Sequence, residues 1–204
     1  MQSGCEIVHL DISAELSSTF ANARIAAMDL EGVYPVDSRM LSSGVALLAL
    51  EACRLRDEGL SAAQIAAELE KLTDKVDTSF VLDTLEFMWK GGRCSGVTAL
   101  GANLLRLKPA LEMKGGSLGV YKKYRGNMDA VYTQYVKERL SGKDVRPEHV
   151  FITHSGGVSE KTLSDLSALV HELVPGCTLH ITVAGCTISS HCGPKCLGVL
   201  FINK

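Results

Sequence analysis

The stretch CEIVHLDISAELSSTFANARIAA, residues 5–27, runs an apolar strand into a hydroxyl-rich turn and then a helix, with Ser13, Ser17, Ser18 and Thr19 crowded where strand becomes helix. The first turn of a helix carries up to four unpaired N–H donors and about half a positive charge. Hydroxyls added there make a neutral cradle suited to one carboxylate or a phosphate. No GxxxxGK[ST] loop precedes the helix and no lysine follows the hydroxyls, so the stretch is a poor nucleotide site. The same hydroxyls can simply cap the helix and close turns. The residues alone leave both readings open.

Three other stretches carry chemistry-bearing side chains. Between Arg106 and Arg125 six basic residues (Arg106, Lys108, Lys114, Lys122, Lys123, Arg125) face one acid, Glu112. Such a surface steers an anionic partner or reaches the charged end of a ligand, and a solvated hairpin gives the same composition. In CTISSHCGPKC, residues 186–196, Cys186, His191, Cys192 and Cys196, with Cys177 nearby, can be drawn as a zinc site. Their C-x5-C-x3-C spacing is not that of knuckles and ribbons, and CGPKC exceeds the C-x-x-C redox motif by one residue. Buried reduced thiols flanking a turn are the simpler expectation. His191 differs, because a loop before Gly193-Pro194 can aim its side chain into a cleft. THSGGVS, residues 153–159, reads as a Gly-rich connection or as a second anion nest. No Ser/His/Asp order, paired carboxylates or HExxH stands out, so catalysis has no support at this level.

These groups need elements to hold them. The 204 residues suffice for one large or two small domains with a real core. Apolar content of 46% and charged content of 22% are ordinary globular values, and a net charge of −2 argues against a dedicated nucleic-acid binder. No stretch reaches the roughly 18 apolar residues of a spanning helix, and MQSGCEIVHL has no basic region ahead of an apolar one, so no signal peptide is visible. Seven cysteines, an odd number, suggest reduced thiols and a cytoplasmic protein.

Residues 5–12 are rich in Ile, Val and Leu, as in a strand buried on both faces. A helix is expected from about Ser17 to Leu30, a short strand over 32–38, and a helix over 42–59 stopped by Gly59. Ser61 with Gln64 three residues on is a capping box opening the next helix. This alternation implies a parallel sheet with packed helices. TSFVLDTLEFMW then reads as a strand and a short helix ending at the glycines of KGGR, residues 90–93. Runs 105–113 and 117–124 flank Lys114-Gly115-Gly116 as a β-hairpin. A helix (127–141), a strand (149–154), a helix (159–174) and strands near 178–183 and 197–202 follow. The fold class is α/β, with a first domain over 1–75 and a second α/β domain with a mixed or antiparallel sheet over 76–204. Two strands make a poor independent sheet, so something is expected upstream of Met1.

Together these stretches resemble the DegV family of bacterial fatty-acid-binding proteins. EIVHLDISAELSSTFANA is similar to the family's strand followed by I-S-S-x-L-S-[GS]-T-[YF]-x-x-A, and VDSRMLSSG to its V-x-D-S-x-x-x-S-x-G. FVLDTLEFMWKGGRCS is close to F-V-[LV]-D-[TD]-L-x-x-L-x-x-G-G-R-[IL]-S, the most specific of the set. LRLKPALEMKGGSLGVYKKYRG resembles the L-x-[IL]-K-P-[IL]-L hairpin with its basic, RG-containing return strand. HCGPKCLGVLFI is similar to the closing H-x-G-P-G-x-x-G-[ILV]-x-[FY]. The resemblance runs over essentially the whole chain, in order.

It implies a two-domain protein that holds a long-chain fatty acid between its domains and presents the carboxylate to a partner fatty-acid kinase. The kinase forms an acyl phosphate for phospholipid metabolism; the binding protein is not the enzyme and needs no cofactor or metal. By this resemblance Ser17 binds the carboxylate, with the Ser18 amide and Thr19 beside it, while His191 and Arg125 lie near the headgroup. Gly91, Gly92 and Arg93, with Lys122 and Lys123, are expected at a cleft or partner surface. Burying a fourteen-methylene tail is worth roughly 11 kcal/mol gross at about 0.8 per CH₂, before association costs. A carboxylate at a helix start gains only about 0.3–1 kcal/mol, or about 2 when partly buried. The tail would hold and the cradle would orient.

Family members carry roughly seventy to eighty residues ahead of this strand, with a D-S strand and a T-S-Q-P-S turn, so the chain is expected to be a fragment with a truncated first domain. An exposed sheet edge is then expected to promote a homodimer. Ala14 replaces the second serine of I-S-S, and Lys195 replaces the last glycine of G-P-G. The alternative reading is a phosphoryl- or acyl-transfer enzyme using the Ser17/His191 region.

Overall fold

The structure, a computed structural model, describes residues 4–93 and 107–204. It divides into two compact units, Met1–Val76 with Met113–Ser117, and Asp77–Glu112 with Leu118–Lys204.

In the first unit β1 (Ile7–Asp11) and β2 (Val33–Asp37) form a two-stranded parallel sheet. Around it lie α1 (Thr19–Ala27), α2 (Ser43–Asp57) and α3 (Ala62–Leu72). The α3 cap is the expected reciprocal box: the Gln64 N–H donates to Ser61 Oγ, and the Ser61 N–H donates to Gln64 Oε1. A single 3-10 turn, Thr73–Lys75, follows. Val36, Leu47, Leu48, Ile65 and Leu69 make the buried core.

Burial of β1 on both faces is not found. Val8 faces a cleft shared with α2 and α3, whereas Ile7 and His9 are exposed. The sheet has two strands and α1 contributes no buried residue, so one face stays thinly covered. Ile25 and Met28 in and beside α1 are 65% and 83% exposed. The helix also begins at Thr19 and not at Ser17.

The larger sheet has six strands in the order β5-β4-β3-β8-β6-β7. Its strands are β3 (Val76–Val81), β4 (Leu107–Lys114), β5 (Ser117–Arg125), β6 (Val145–His154), β7 (Leu179–Val183) and β8 (Leu197–Asn203). β3 and β4 are antiparallel, β6 and β7 parallel, β6 and β8 antiparallel. The expected hairpin is present, although its residues 105 and 106 lie outside the described residues. Gly115 and Gly116, at φ +57° and +85°, form the two-residue turn that two positive φ values require.

Among the described residues the second unit also has helices α4 (Glu86–Lys90), α5 (Met128–Leu140), α6 (Glu160–Leu173) and α7 (Cys186–Cys192). α5 and α6 are started by Asn127 and Ser159, whose side chains accept the N–H groups of Ala130 and Thr162. They pack Tyr132, Tyr135, Leu166 and Val170 on Val150, Ile152, Val199 and Phe201 of the sheet.

Two polar devices run through this core. Tyr135 OH accepts the Val199 N–H at 3.0 Å and lies 2.7 Å from Ser79 Oγ, so a helix hydroxyl bridges β8 and β3. Arg139 donates to Asp77 through Nε at 2.8 Å and to Glu112 through Nη1 at 2.9 Å, with Lys143 3.3 Å from Asp77. Its guanidinium also lies 4.9 Å from the Tyr121 ring centre.

α7 is a correction to the sequence reading, which expected a loop around His191. CTISSHC has too few apolar residues to show a helical period, yet seven residues of it wind into a helix closed by Gly193. β6 also starts earlier than expected, at Val145. Among the described residues no helix is long and apolar enough to cross a membrane.

Candidate functional site

In the first unit the turn between β1 and α1 is fastened from below. Ser13 has no exposed surface; its Oγ donates to the Gly116 carbonyl at 2.6 Å and its N–H donates to the Met40 carbonyl at 2.9 Å. The Ser13 carbonyl in turn accepts the N–H groups of Leu16 and Ser17. Asp37 Oδ1 accepts from Ala14 N–H at 3.2 Å and from Arg39 N–H at 2.9 Å, which ties the VDSRM turn to the same place. A Cβ at Gly116 would sit 3.1 Å from Ser13 Oγ, so the hairpin glycine makes room for this bond as well as taking the positive φ.

Above that base the hydroxyls are differently engaged. Ser17 Oγ accepts the Thr19 N–H at 3.3 Å, a local turn bond that leaves the Ser17 O–H to donate elsewhere. Ser18 precedes α1 without a side-chain cap, and its carbonyl accepts the Asn22 N–H. Among the described residues the Ser18 amide and hydroxyl take no partner, and both Ser18 and Thr19 are exposed. Of the four hydroxyls, Ser13 is therefore structural, Ser17 is half-buried with a local bond, and Ser18 and Thr19 are exposed.

In the second unit His191 sits in the last turn of α7. Its Nδ1 is buried with no hydrogen-bond partner, and the ring lies against Gly91. The GGR segment closes α4 with a double turn: Gly92 N–H donates to the Trp89 carbonyl and Arg93 N–H to the Met88 carbonyl, both at 3.1 Å. Gly92 takes the left-handed φ of +68° that this closure needs. Arg93 is exposed and its Nη1 donates to the Gly91 carbonyl.

The THSGGVS turn holds the loop that follows His191. Ser155 Oγ donates to the Gly193 carbonyl and accepts the Cys196 N–H, and Ser155 N–H donates to the Cys196 carbonyl. Lys195 N–H donates to the Gly156 carbonyl, while Tyr132 OH donates to the Lys195 carbonyl at 2.7 Å. Gly156 N–H is spent on His154 Nδ1. These bonds make the segment a connection that ties the loop after His191 to the end of β6. They also hold Lys195 at φ +61°, the left-handed conformation that glycine adopts without cost.

The basic hairpin is partly neutralised. Lys108 pairs with Asp83 and Lys122 with Glu138, while Arg106 lies outside the described residues. Lys123 and Arg125 are exposed and form no ion pair among the described residues. Tyr124 beside them is pushed far above the usual phenol range by burial and by its bond to Glu138.

The cysteines separate. Cys186 is exposed; Cys177, Cys192 and Cys196 are buried. A bond from Cys196 holds the Cys192 thiol below its usual value, and the same bond with burial pushes Cys196 up. Among the described residues no three His, Cys, Asp or Glu side chains group as a metal ion needs. A cleft of about 370 Å³ lined by Glu6, Val8, Cys53, Arg56 and Ile65 includes none of the residues singled out from the sequence. Sequence reasoning missed the contacts of His191 with Gly91 and of Phe87 with Gly193; the paired glycines of KGGR and the Gly-Pro after His191 were the available signals.

All 204 residues match the family described as uncharacterised protein, DegV family. A DegV domain-containing protein of Clostridium acetobutylicum is 30% identical over 207 residues, covering 100% of this chain and 72% of that protein. Among solved structures, a DegV family protein from Thermus thermophilus, described for its fatty acid binding, matches with a TM-score of 0.83 at 29% identity, over 98% of this chain and 71% of that one. DegV of Bacillus subtilis, described as a fatty acid binding protein, matches with a TM-score of 0.78 at 25% identity, over 97% and 71%. The fold, a small parallel sheet and a larger mixed one with helices, is that of these proteins. The chain belongs to the DegV family.

Proposed function

We propose that this chain binds a long-chain fatty acid and orients its carboxylate with uncharged donors. The observation that carries the reading is the start of α1, where the Ser18 amide and hydroxyl and the Ser17 and Thr19 hydroxyls are left for a ligand above a turn fastened by Ser13. The fatty acid binding described for the Thermus thermophilus and Bacillus subtilis relatives supports it. Ser17, Ser18 and Thr19 take one face of the carboxylate. By the family resemblance His191 and Arg125 are the further headgroup candidates, and the hydrocarbon supplies most of the affinity.

The chain acts as a carrier in the cytoplasm: it offers the carboxylate to a fatty-acid kinase, which forms the acyl phosphate. Gly91, Gly92, Arg93 and the exposed Lys123 form the cleft or partner surface, with Lys122 already paired to Glu138. The thinly covered β1–β2 sheet, with Ile7 exposed at its edge, favours self-association; light scattering that shows only monomer at high concentration would remove that part.

The test is an organic extract of the purified chain read by mass spectrometry, followed by titration with palmitate and oleate. A stoichiometric acyl chain, and binding weakened about tenfold or more in Ser17→Ala/Ser18→Ala, are the expected results. Absence of both extracted lipid and binding of added acid overturns the reading, and turnover of an acyl or phosphoryl donor without a kinase would favour an enzyme.

A further inference from the structure

The two edges of the six-stranded sheet are guarded differently. β5 carries Lys122, Lys123 and Arg125, and charged side chains along an edge oppose pairing with another chain. β7, the opposite edge among the described residues, reads LHITV, without Asp, Glu, Lys, Arg or Pro. Ile181 and Val183 on it are 44% and 71% exposed. It is an open apolar edge.

The register of β7 on β6 decides which of its backbone groups are spent. Val150, Ile152 and His154 of β6 stand opposite Leu179, Ile181 and Val183. Val150 N–H donates to the Thr178 carbonyl and Ala184 N–H to the His154 carbonyl. Bonds of a parallel ladder flank the opposite residue in this way, so His180 and Thr182 turn their N–H and C=O groups to β6. Leu179, Ile181 and Val183 turn theirs outward. Among the described residues these three N–H and three C=O groups take no partner.

The same strand is complementary to itself. A two-fold axis between two copies of Ile181 sets Ile181 on the partner's Ile181, Leu179 on the partner's Val183 and Val183 on the partner's Leu179. Each is an antiparallel pair that exchanges both bonds, and three pairs at two bonds each use every outward group. Centring on His180 or Thr182 instead forms only two such pairs within the strand. Leu179, Ile181 and Val183 also share one face, where Leu179 packs on the core. Their side chains therefore meet as one apolar strip. The polar pair lies on the other face, His180 3.0 Å from His149 and Thr182 2.9 Å from Thr153. A two-fold sets any charge near its own copy, and β7 holds no carboxylate, lysine or arginine to repel itself.

We propose that β7 is a docking edge for a second copy of this chain: two β7 strands pair antiparallel about Ile181 and join the six strands of each copy into one sheet of twelve. Five-residue strands, each about 17 Å long, bury less than the roughly 1,200 Å² of a stable interface. The dimer is therefore reversible, with a Kd on the order of 10 μM to 1 mM. It does not depend on the fatty-acid reading, and it uses a different edge from β1.

Sedimentation equilibrium of the whole chain from micromolar to millimolar concentration tests this, together with amide hydrogen exchange at both ends of that range. A reversible dimer is expected. Ile181→Lys should weaken it about tenfold or more, because each lysine then faces its own copy. Val183→Lys should act in the same direction and serves if Ile181→Lys does not fold. Ile7→Lys, on β1, should leave association as it is. Raising the concentration should slow exchange severalfold at Leu179, Ile181 and Val183 and leave His180 and Thr182, already bonded to β6, unchanged. That alternation needs no variant, and it decides the matter if all three variants weaken association. A chain that stays monomeric at millimolar concentration overturns the inference. So does a dimer that survives both lysines on β7, or exchange that slows at all five residues or at none.

Discussion

The start of α1 and the end of α7 are built on opposite plans. At α1 the base of the turn is tightly tied through Ser13, but the donors above it are exposed and the helix behind them buries nothing. At α7 the His191 ring is itself wedged against backbone, and the loop after it is held by Ser155, Gly156 and Tyr132. The first arrangement offers several adaptable hydroxyls, each free to rotate toward an acceptor. The second offers a ring whose placement is set by the glycine backbone it packs on.

Substitutions and pH can widen or erase that contrast. The largest change is expected away from both termini, at Arg139. Arg139→Ala leaves the buried Asp77 and the half-buried Glu112 without the cation they share, and should cost about 3–5 kcal/mol in urea unfolding. Loss of less than a third of that would mean Lys143 takes over the neutralisation.

Next is Ser13→Ala, which strands the Gly116 carbonyl and should cost about 1–3 kcal/mol. Ser17→Ala, one turn on, should stay within about 0.5 kcal/mol in the same measurement. Equal losses at the two serines would end the division between a structural base and open donors.

The third is a pH effect. Burial pushes His154 below the usual imidazole value, and burial together with His149 pushes His180 down. Both bind protons more readily when unfolded, so their contribution is complete above about pH 6.5 and is lost as pH falls through their lower folded values. Thermal melts should therefore drop in temperature below pH 6.5, with a shallower drop in His180→Gln. An unchanged slope would show that His180 carries no part of it.

The smallest is a gain. Lys195→Gly relieves a left-handed lysine and should stabilise by less than about 1 kcal/mol, since the glycine also loosens the unfolded chain. A loss instead would show that the Lys195 side chain packs on Gly157 to useful effect.

Much of the architecture was legible because it depends on local rules. Ser61 and Gln64 announced α3, the Gly-Gly between two extended runs announced the hairpin, and apolar runs placed the strands. α7 was not legible, since seven residues of Cys, Ser, Thr and His carry no apolar rhythm. Nor could the sequence rank four neighbouring hydroxyls: what buries Ser13 is a carbonyl 103 positions away. The same distance problem hid the partner of Gly91, which looked like a simple turn glycine until His191 was found against it.

The phenol of Tyr135 has a consequence for how the second unit assembles. A backbone amide of β8 finishes on a side chain of α5, and that side chain reaches on to β3. Strand β8 cannot complete its bonding until the helix has docked, and the helix cannot dock without a buried hydroxyl seeking those strands. Sheet and helical layer therefore form and come apart as one cooperative block, a unity written into a single oxygen atom.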